Sequence, residues 1–196
     1  MTIILRLASV IFAFCPFSNQ MKSLFAFCIL LSVTALPRVA RSQGDDIFSW
    51  GVTAGAAIPA KGLADEHVTG VNAGITMAIG GVGQVLGFRI DGMWNQFGAK
   101  SGTTATSAKI VGGSLNLVTS LFGNSDRVYL IGGVGGYGIR GIVGQASKND
   151  FGINGGIGFW LPFANSFIEA RYHHFYRALP NKQPAVFIPI TLGVLF

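Results

Sequence analysis

Cysteine is nearly absent from this 196-residue chain, and its only two examples, Cys15 and Cys28, lie close to the amino end. Everything from residue 29 onward therefore lacks a thiol, a disulfide and a cysteine metal site. A basic patch is missing as well. The formal charge of +6 and the high isoelectric point suggest one, but Arg6, Lys22, Arg38 and Arg41 stand in a segment with the features of an export signal. Met21 and Lys22 are followed by an apolar run from Leu24 to Leu36, then by Ala40-Arg41-Ser42, a small-x-small cleavage site. Residues 1–42 are expected to be this signal, with translation beginning at Met21 and the mature chain at Gln43. The mature part then holds ten basic and eight acidic residues and a net charge of only +2, which excludes nucleic acid as a partner on charge grounds.

A long apolar run is also lacking. Leu24–Leu36 is shorter than the roughly 20 residues of a spanning helix and is ended by Pro37 and Arg38, which favours a signal over an anchor. Cys28 comes too early in this run for a lipid-modified terminus.

Glycine is abundant. All 28 glycines fall after residue 42, and because each costs roughly 1 kcal/mol in a helix interior, they exclude a helical bundle and suit a curved sheet of close strands. Residues 43–196 are expected to form one domain. Within it, apolar residues alternate with small or polar ones in eight segments, the period of a half-buried strand: 47–58, 68–79, 85–97, 108–121, 128–139, 151–161, 167–176 and 186–196. In the third, Leu86, Phe88, Ile90 and Trp94 alternate with Gly87, Arg89, Asp91 and Asn95, so one face is apolar and the other charged. In the seventh, Ile168, Ala170, Tyr172 and Tyr176 oppose Glu169, Arg171 and His173. The fourth and fifth are so rich in glycine that neither face can be chosen.

Connections alternate too. Pro59–His67, Gly98–Thr106, Arg140–Asp150 and Leu179–Ala185 are polar and longer, whereas Gly80–Gln84, Phe122–Asp126 and Pro162–Asn165 are turn-like. That order fits an all-β fold: an eight-stranded antiparallel up-and-down transmembrane β-barrel with periplasmic termini and short periplasmic turns, each strand spanning with nine to eleven tilted residues. Closure is required, since an open edge in lipid leaves backbone groups unpaired. Aromatic girdles are expected from Trp50, Tyr129, Phe159, Phe167 and Phe196 at the periplasmic rim, and from Trp94, Phe97, Phe175, Tyr176 and Phe187 at the outer rim.

The last stretch, Phe187-Ile188-Pro189-Ile190-Thr191-Leu192-Gly193-Val194-Leu195-Phe196, resembles the carboxy-terminal strand of the outer-membrane β-barrel domain family, and Phe167 to His174 resembles that family's penultimate strand. The resemblance implies residence in the cell outer membrane after export, and contact with outer-membrane lipids. It also implies recognition by the barrel-assembly machinery through Ile190, Leu192, Val194 and Phe196. It specifies no single activity.

Motifs for chemistry are few. Gly133-Val134-Gly135-Gly136-Tyr137-Gly138 matches a dinucleotide fingerprint in letters, but no helix follows it and no acidic residue stands about twenty positions on. His173-His174 with Glu169 evokes the His-Ser pair of lipid A deacylases, yet Phe175, Tyr176 and Arg177 follow and no serine does; alternation also puts the two histidines on opposite faces. No catalytic residue, metal site or cofactor is therefore assigned. Arg89, Asp91, Glu169 and Arg171 are expected to point inward. Because buried charges need partners, they are expected to form an interior ion-pair network, with Asn72, Asn95, Asn116 and Asn154 as candidate members. The reading reached is a monomeric, non-enzymatic barrel with an envelope-integrity or surface-interaction role. A lipid A- or phospholipid-modifying enzyme, a narrow pore or small hydrophobic transporter, and a soluble lipocalin-like barrel are the alternatives.

Overall fold

The computed structural model describes residues 48–80, 86–121, 127–141, 148–176, 179 and 184–196. The expected export signal, its cleavage site and the start at Met21 lie outside these residues, as do the turn Phe122–Asp126 and most of the segment between Arg140 and Asp150.

Eight strands form one closed barrel within the compact unit Gly44–Phe196. They are β1 (Phe48–Ala60), β2 (His67–Ile79), β3 (Leu86–Ala99), β4 (Ala108–Ser120), β5 (Val128–Arg140), β6 (Lys148–Trp160), β7 (Ser166–Phe175) and β8 (Ala185–Leu195). Each pairs antiparallel with its neighbour in sequence, and β1 pairs with β8 to close the sheet. The fold is thus the expected eight-stranded up-and-down barrel. Closure leaves no unpaired edge, the device that removes the aggregation hazard of an open sheet.

The strands differ from expectation in length. Most have 13 residues rather than nine to eleven, because pairing continues past the apolar stretches that mark them in the sequence. β6 begins at Lys148 rather than Phe151. The segment after β1 holds a short helix, α1 (Gly62–Glu66), entered through Lys61 in the left-handed region at φ 51°. One irregularity interrupts the ladder, between Val68 and Val71 on β2.

Register fixes the stagger. Stepping through paired residues from Trp50 to Met77, Ile90, Leu115, Val134, Ile153, His174 and Val186 returns to β1 at Ala60, ten residues beyond the start. A stagger of that size over eight strands goes with steeply tilted strands, about 35–45° from the barrel axis, and an interior just wide enough for side chains. Glycine permits the close approach. A Cβ at Gly55 would lie 2.0 Å from the carbonyl oxygen of Ile190, and one at Gly158 would lie 2.1 Å from Tyr129 Cζ.

Candidate functional site

Alternation and register decide which side chains enter the barrel. Outward stand Trp50, Val52, Ile75, Phe88, Ile90 and Trp94 on the first three strands, and the glycine-rich pair resolves in the same sense. On β4, Val111, Leu115 and Leu117 face out while Ala108, Ile110, Ser114 and Asn116 are buried. On β5, Leu130 and Val134 face out while Tyr129, Ile131, Tyr137 and Ile139 are buried. Ile153, Ile157, Ile168, Tyr172, Ile190 and Leu192 carry the exposed apolar surface round the remaining strands. The barrel is thereby inverted relative to a soluble one: apolar outside, with charge inside.

The inside has three levels. At the end that carries the chain terminus, Tyr129, Ile131, Phe167 and Leu195 form an apolar floor with Trp160 packed against it. At the opposite end a second cluster includes Leu63 of α1, Phe97, Tyr137, Phe175 and Phe187. Between them lies the charged layer.

In that layer Arg89, Asp91, Glu169 and Arg171 meet. Arg89 Nη2 donates to both carboxylate oxygens of Glu169, at 2.8 and 2.7 Å, and its Nε lies 3.1 Å from Asp91 Oδ1. Arg171 Nη1 donates to Asp91 Oδ2 at 2.8 Å and its Nε donates to Glu169 Oε1. Two cations and two anions so alternate in a ring, the arrangement that lets ions survive in a dry interior. All four are only 2–6 % exposed, so water does not carry the pairing. Each guanidinium spans both carboxylates because Arg89 and Asp91 are two apart on β3, Glu169 and Arg171 two apart on β7, and both pairs point at the barrel axis.

Two neighbours complete the ring. Asn116 Nδ2 donates to Asp91 Oδ2 at 2.7 Å, and the Tyr129 hydroxyl donates to Glu169 Oε2 at 2.8 Å. The guanidinium of Arg89 sits 5.1 Å above the Phe167 ring, a cation–π contact that ties the charged layer to the floor. Asn72 and Asn95 do not join; they bond each other, at 2.6 Å. Asn154 is buried, but among the described residues it makes no hydrogen bond to the four.

The two histidines fall on opposite sides of the wall. His173 is fully buried, within 3.1 Å of the Tyr137 hydroxyl through Nδ1 and stacked on Phe187 at 4.8 Å. It packs as an interior aromatic. His174 is half-buried on the outward side. Among the described residues no cluster of His, Cys, Asp and Glu could hold a metal ion. The Gly133–Gly138 segment lies within β5, mid-strand, with no helix terminus to receive a phosphate.

The expected girdles require correction. Tyr129 and Phe167 belong to the interior floor, and Phe97, Phe175 and Phe187 to the interior cluster at the other end; all are at most 1 % exposed. The physical reason is parity. Phe167 and Phe175 share odd positions with Glu169, Arg171 and His173 on β7, and Phe97 shares them with Arg89, Asp91 and Asn95 on β3, so each lies on the charged face. Trp50, Phe159, Trp94 and Tyr176 do point outward. Phe196 exchanges backbone hydrogen bonds with Trp50 in both directions, at 2.7 and 3.2 Å, and their rings lie 4.8 Å apart. Tyr129 as a network member was missed, and its even spacing from Tyr137 on a glycine strand was the available signal.

The fold is similar to that of Ail, the attachment invasion locus protein of Yersinia pestis, solved in complex with the heparin analogue sucrose octasulfate. The TM-score is 0.40 and the identity 17%, over 76% of this chain and 96% of that one. No protein-family model and no curated protein sequence matches the chain.

Proposed function

We propose that the chain is a non-enzymatic barrel of the bacterial outer membrane, with a structural or surface-interaction role exercised through the connections at the end opposite its terminus. The observation that carries this reading is the inversion of the barrel: exposed apolar side chains on the outer face of all eight strands around a buried charged ring. Surface of this extent and continuity exceeds what a soluble monomer tolerates, and lipid is the solvent that accepts it. A lipocalin-like barrel needs the reverse polarity. On this reading Phe196 and the alternating Ile190, Leu192 and Val194 present the closing strand to the assembly machinery.

The test is to express the chain in a Gram-negative host, separate the membranes, and compare boiled with unboiled outer-membrane samples on a gel. The expected result is a band in that fraction whose mobility shifts on heating. A soluble periplasmic protein without the shift rejects the membrane reading.

A further inference from the structure

On the outer face, at the end away from the terminus, Lys109 of β4 and Arg140 of β5 are direct cross-strand partners, and both are exposed. Like charges set opposite each other on one face of a sheet repel. No carboxylate answers them among the described residues. Asp65 and Glu66 belong to α1, which packs on β1, β2 and β8, and Asp150 faces inward beside Lys148 at 3.8 Å. The sequence of residues 142–147, which follows Arg140, contains no acid. The pair is held in place regardless, since Thr106 Oγ1 donates to the carbonyl of Gly141 at 2.8 Å and pins the end of β5 to the segment leading into β4.

Below this pair the wall is hollowed. An open groove of about 550 Å³ is lined by Gly136, Tyr137 and Gly138 of β5 and by Asn149, Asp150 and Phe151 of β6. Gly136 and Gly138 point outward, and a Cβ at Gly136 would meet nothing within 4 Å. Glycine is not required there by packing within the barrel, so the missing side chain leaves room for something outside. Gly138 is the register partner of exposed Val111 on one side and of Asn149 on the other, where Asn149 Oδ1 would lie 3.0 Å from a Cβ at Gly138. A trough flanked by Val111 and Phe151, with the Asn149 amide at its upper end, thus leads up to two adjacent cations.

We infer that this is a binding site for a phosphorylated lipid of the outer leaflet, its phosphate held between Lys109 and Arg140 and an acyl chain lying over Gly136 between Val111 and Phe151. The inference rests on the membrane reading above. Two cations on neighbouring strands suit a phosphate, since charge-assisted bonds to its oxygens can come from both sides, and the trough supplies apolar contact that a free anion cannot use.

The test uses the folded full chain in non-ionic detergent, with native mass spectrometry counting retained bis-phosphorylated lipid A across a titration. The unmodified chain is expected to hold one such lipid. The K109Q/R140Q variant is expected to lose about tenfold or more in apparent affinity, and G136L, which fills the trough, is expected to weaken binding with both cations intact. K61Q/K100Q, which removes as much charge from the same end away from the trough, is expected to bind as the parent does. Equal binding by K109Q/R140Q, equal binding of dephosphorylated lipid A, or displacement by inorganic phosphate at constant ionic strength each overturns the proposal. The heat-dependent mobility shift is recorded for every variant. A parent chain without it counts against the membrane reading itself, whereas a shifted parent with an indifferent K109Q/R140Q counts against the lipid site alone.

Discussion

At the scale of single residues, Glu169 is the most constrained side chain in the barrel. It accepts from Arg89, Arg171 and Tyr129 while wholly enclosed, so neutralising it leaves two guanidinium groups to share the single carboxylate of Asp91. Breaking one partner of a buried ion set costs about 3–5 kcal/mol, and Glu169→Gln is expected to lower unfolding stability by that amount in urea titrations of the barrel refolded into vesicles. Charge balance supplies the control. The R89L/E169L double variant removes one cation and one anion, and it is expected to lose clearly less than the sum of the two single leucine variants. Additive losses would mean that the ring does not act as a unit. Gly158 gives a second case. A Cβ there would lie 2.1 Å from Tyr129 Cζ and 2.3 Å from its hydroxyl oxygen, so Gly158→Ala is expected to push the tyrosine off Glu169 and cost about 1–3 kcal/mol as overpacking. In a Tyr129→Phe background the hydroxyl contact is already gone while the ring clash remains, and the penalty is expected to shrink only in part.

At the scale of elements, β8 closes the barrel. Its last paired stretch runs against β1, and beyond it the backbone of Phe196 bonds to Trp50 in both directions. Deleting Phe196 is expected to reduce the heat-modifiable barrel recovered from outer membranes severalfold while leaving refolding into detergent micelles largely intact, because the ladder above it survives. Equal loss in both settings would assign the residue to stability alone. β8 was also the element easiest to read in the sequence, as were β3 and β7, since Ile190, Leu192 and Val194, or Arg89 and Asp91 against Phe88 and Ile90, mark the two faces by chemistry. β4 and β5 were opaque because glycine has no side chain to reveal a face; only register with β3 and β6 orients Tyr129 and Tyr137. The aromatic assignment went astray where position along the strand was weighed above parity. Phe167 and Phe175 stand near the strand ends, where girdles belong, yet their spacing from Glu169 and His173 turns them inward. The ring partners were legible as a set on two strands, but the pairing pattern was not, because it depends on the stagger that brings β3 and β7 together across the axis.

At the scale of the whole molecule, three closed levels stand in series. A stagger of ten residues over eight strands leaves a lumen that side chains fill, and here the filling is an aromatic cluster, a charged ring and an aromatic floor. An ion crossing such a barrel must displace all three, so the protein is expected to show no unitary current steps in planar bilayers. Opening one level is not enough. F175A/F187A thins the cluster at the end away from the terminus but leaves Arg89 clamped between Glu169 and Asp91 above an intact Phe167, and this variant is expected to remain silent. Combining R89L/E169L with F167A removes both the ring and the floor beneath it, yet Tyr137, Phe175 and Phe187 still close the opposite end, so current is expected only when all three levels are reduced together. Steps in the parent chain as large as those in the combined variant would show that the filled interior does not seal the barrel, and would return the narrow-pore reading to first place.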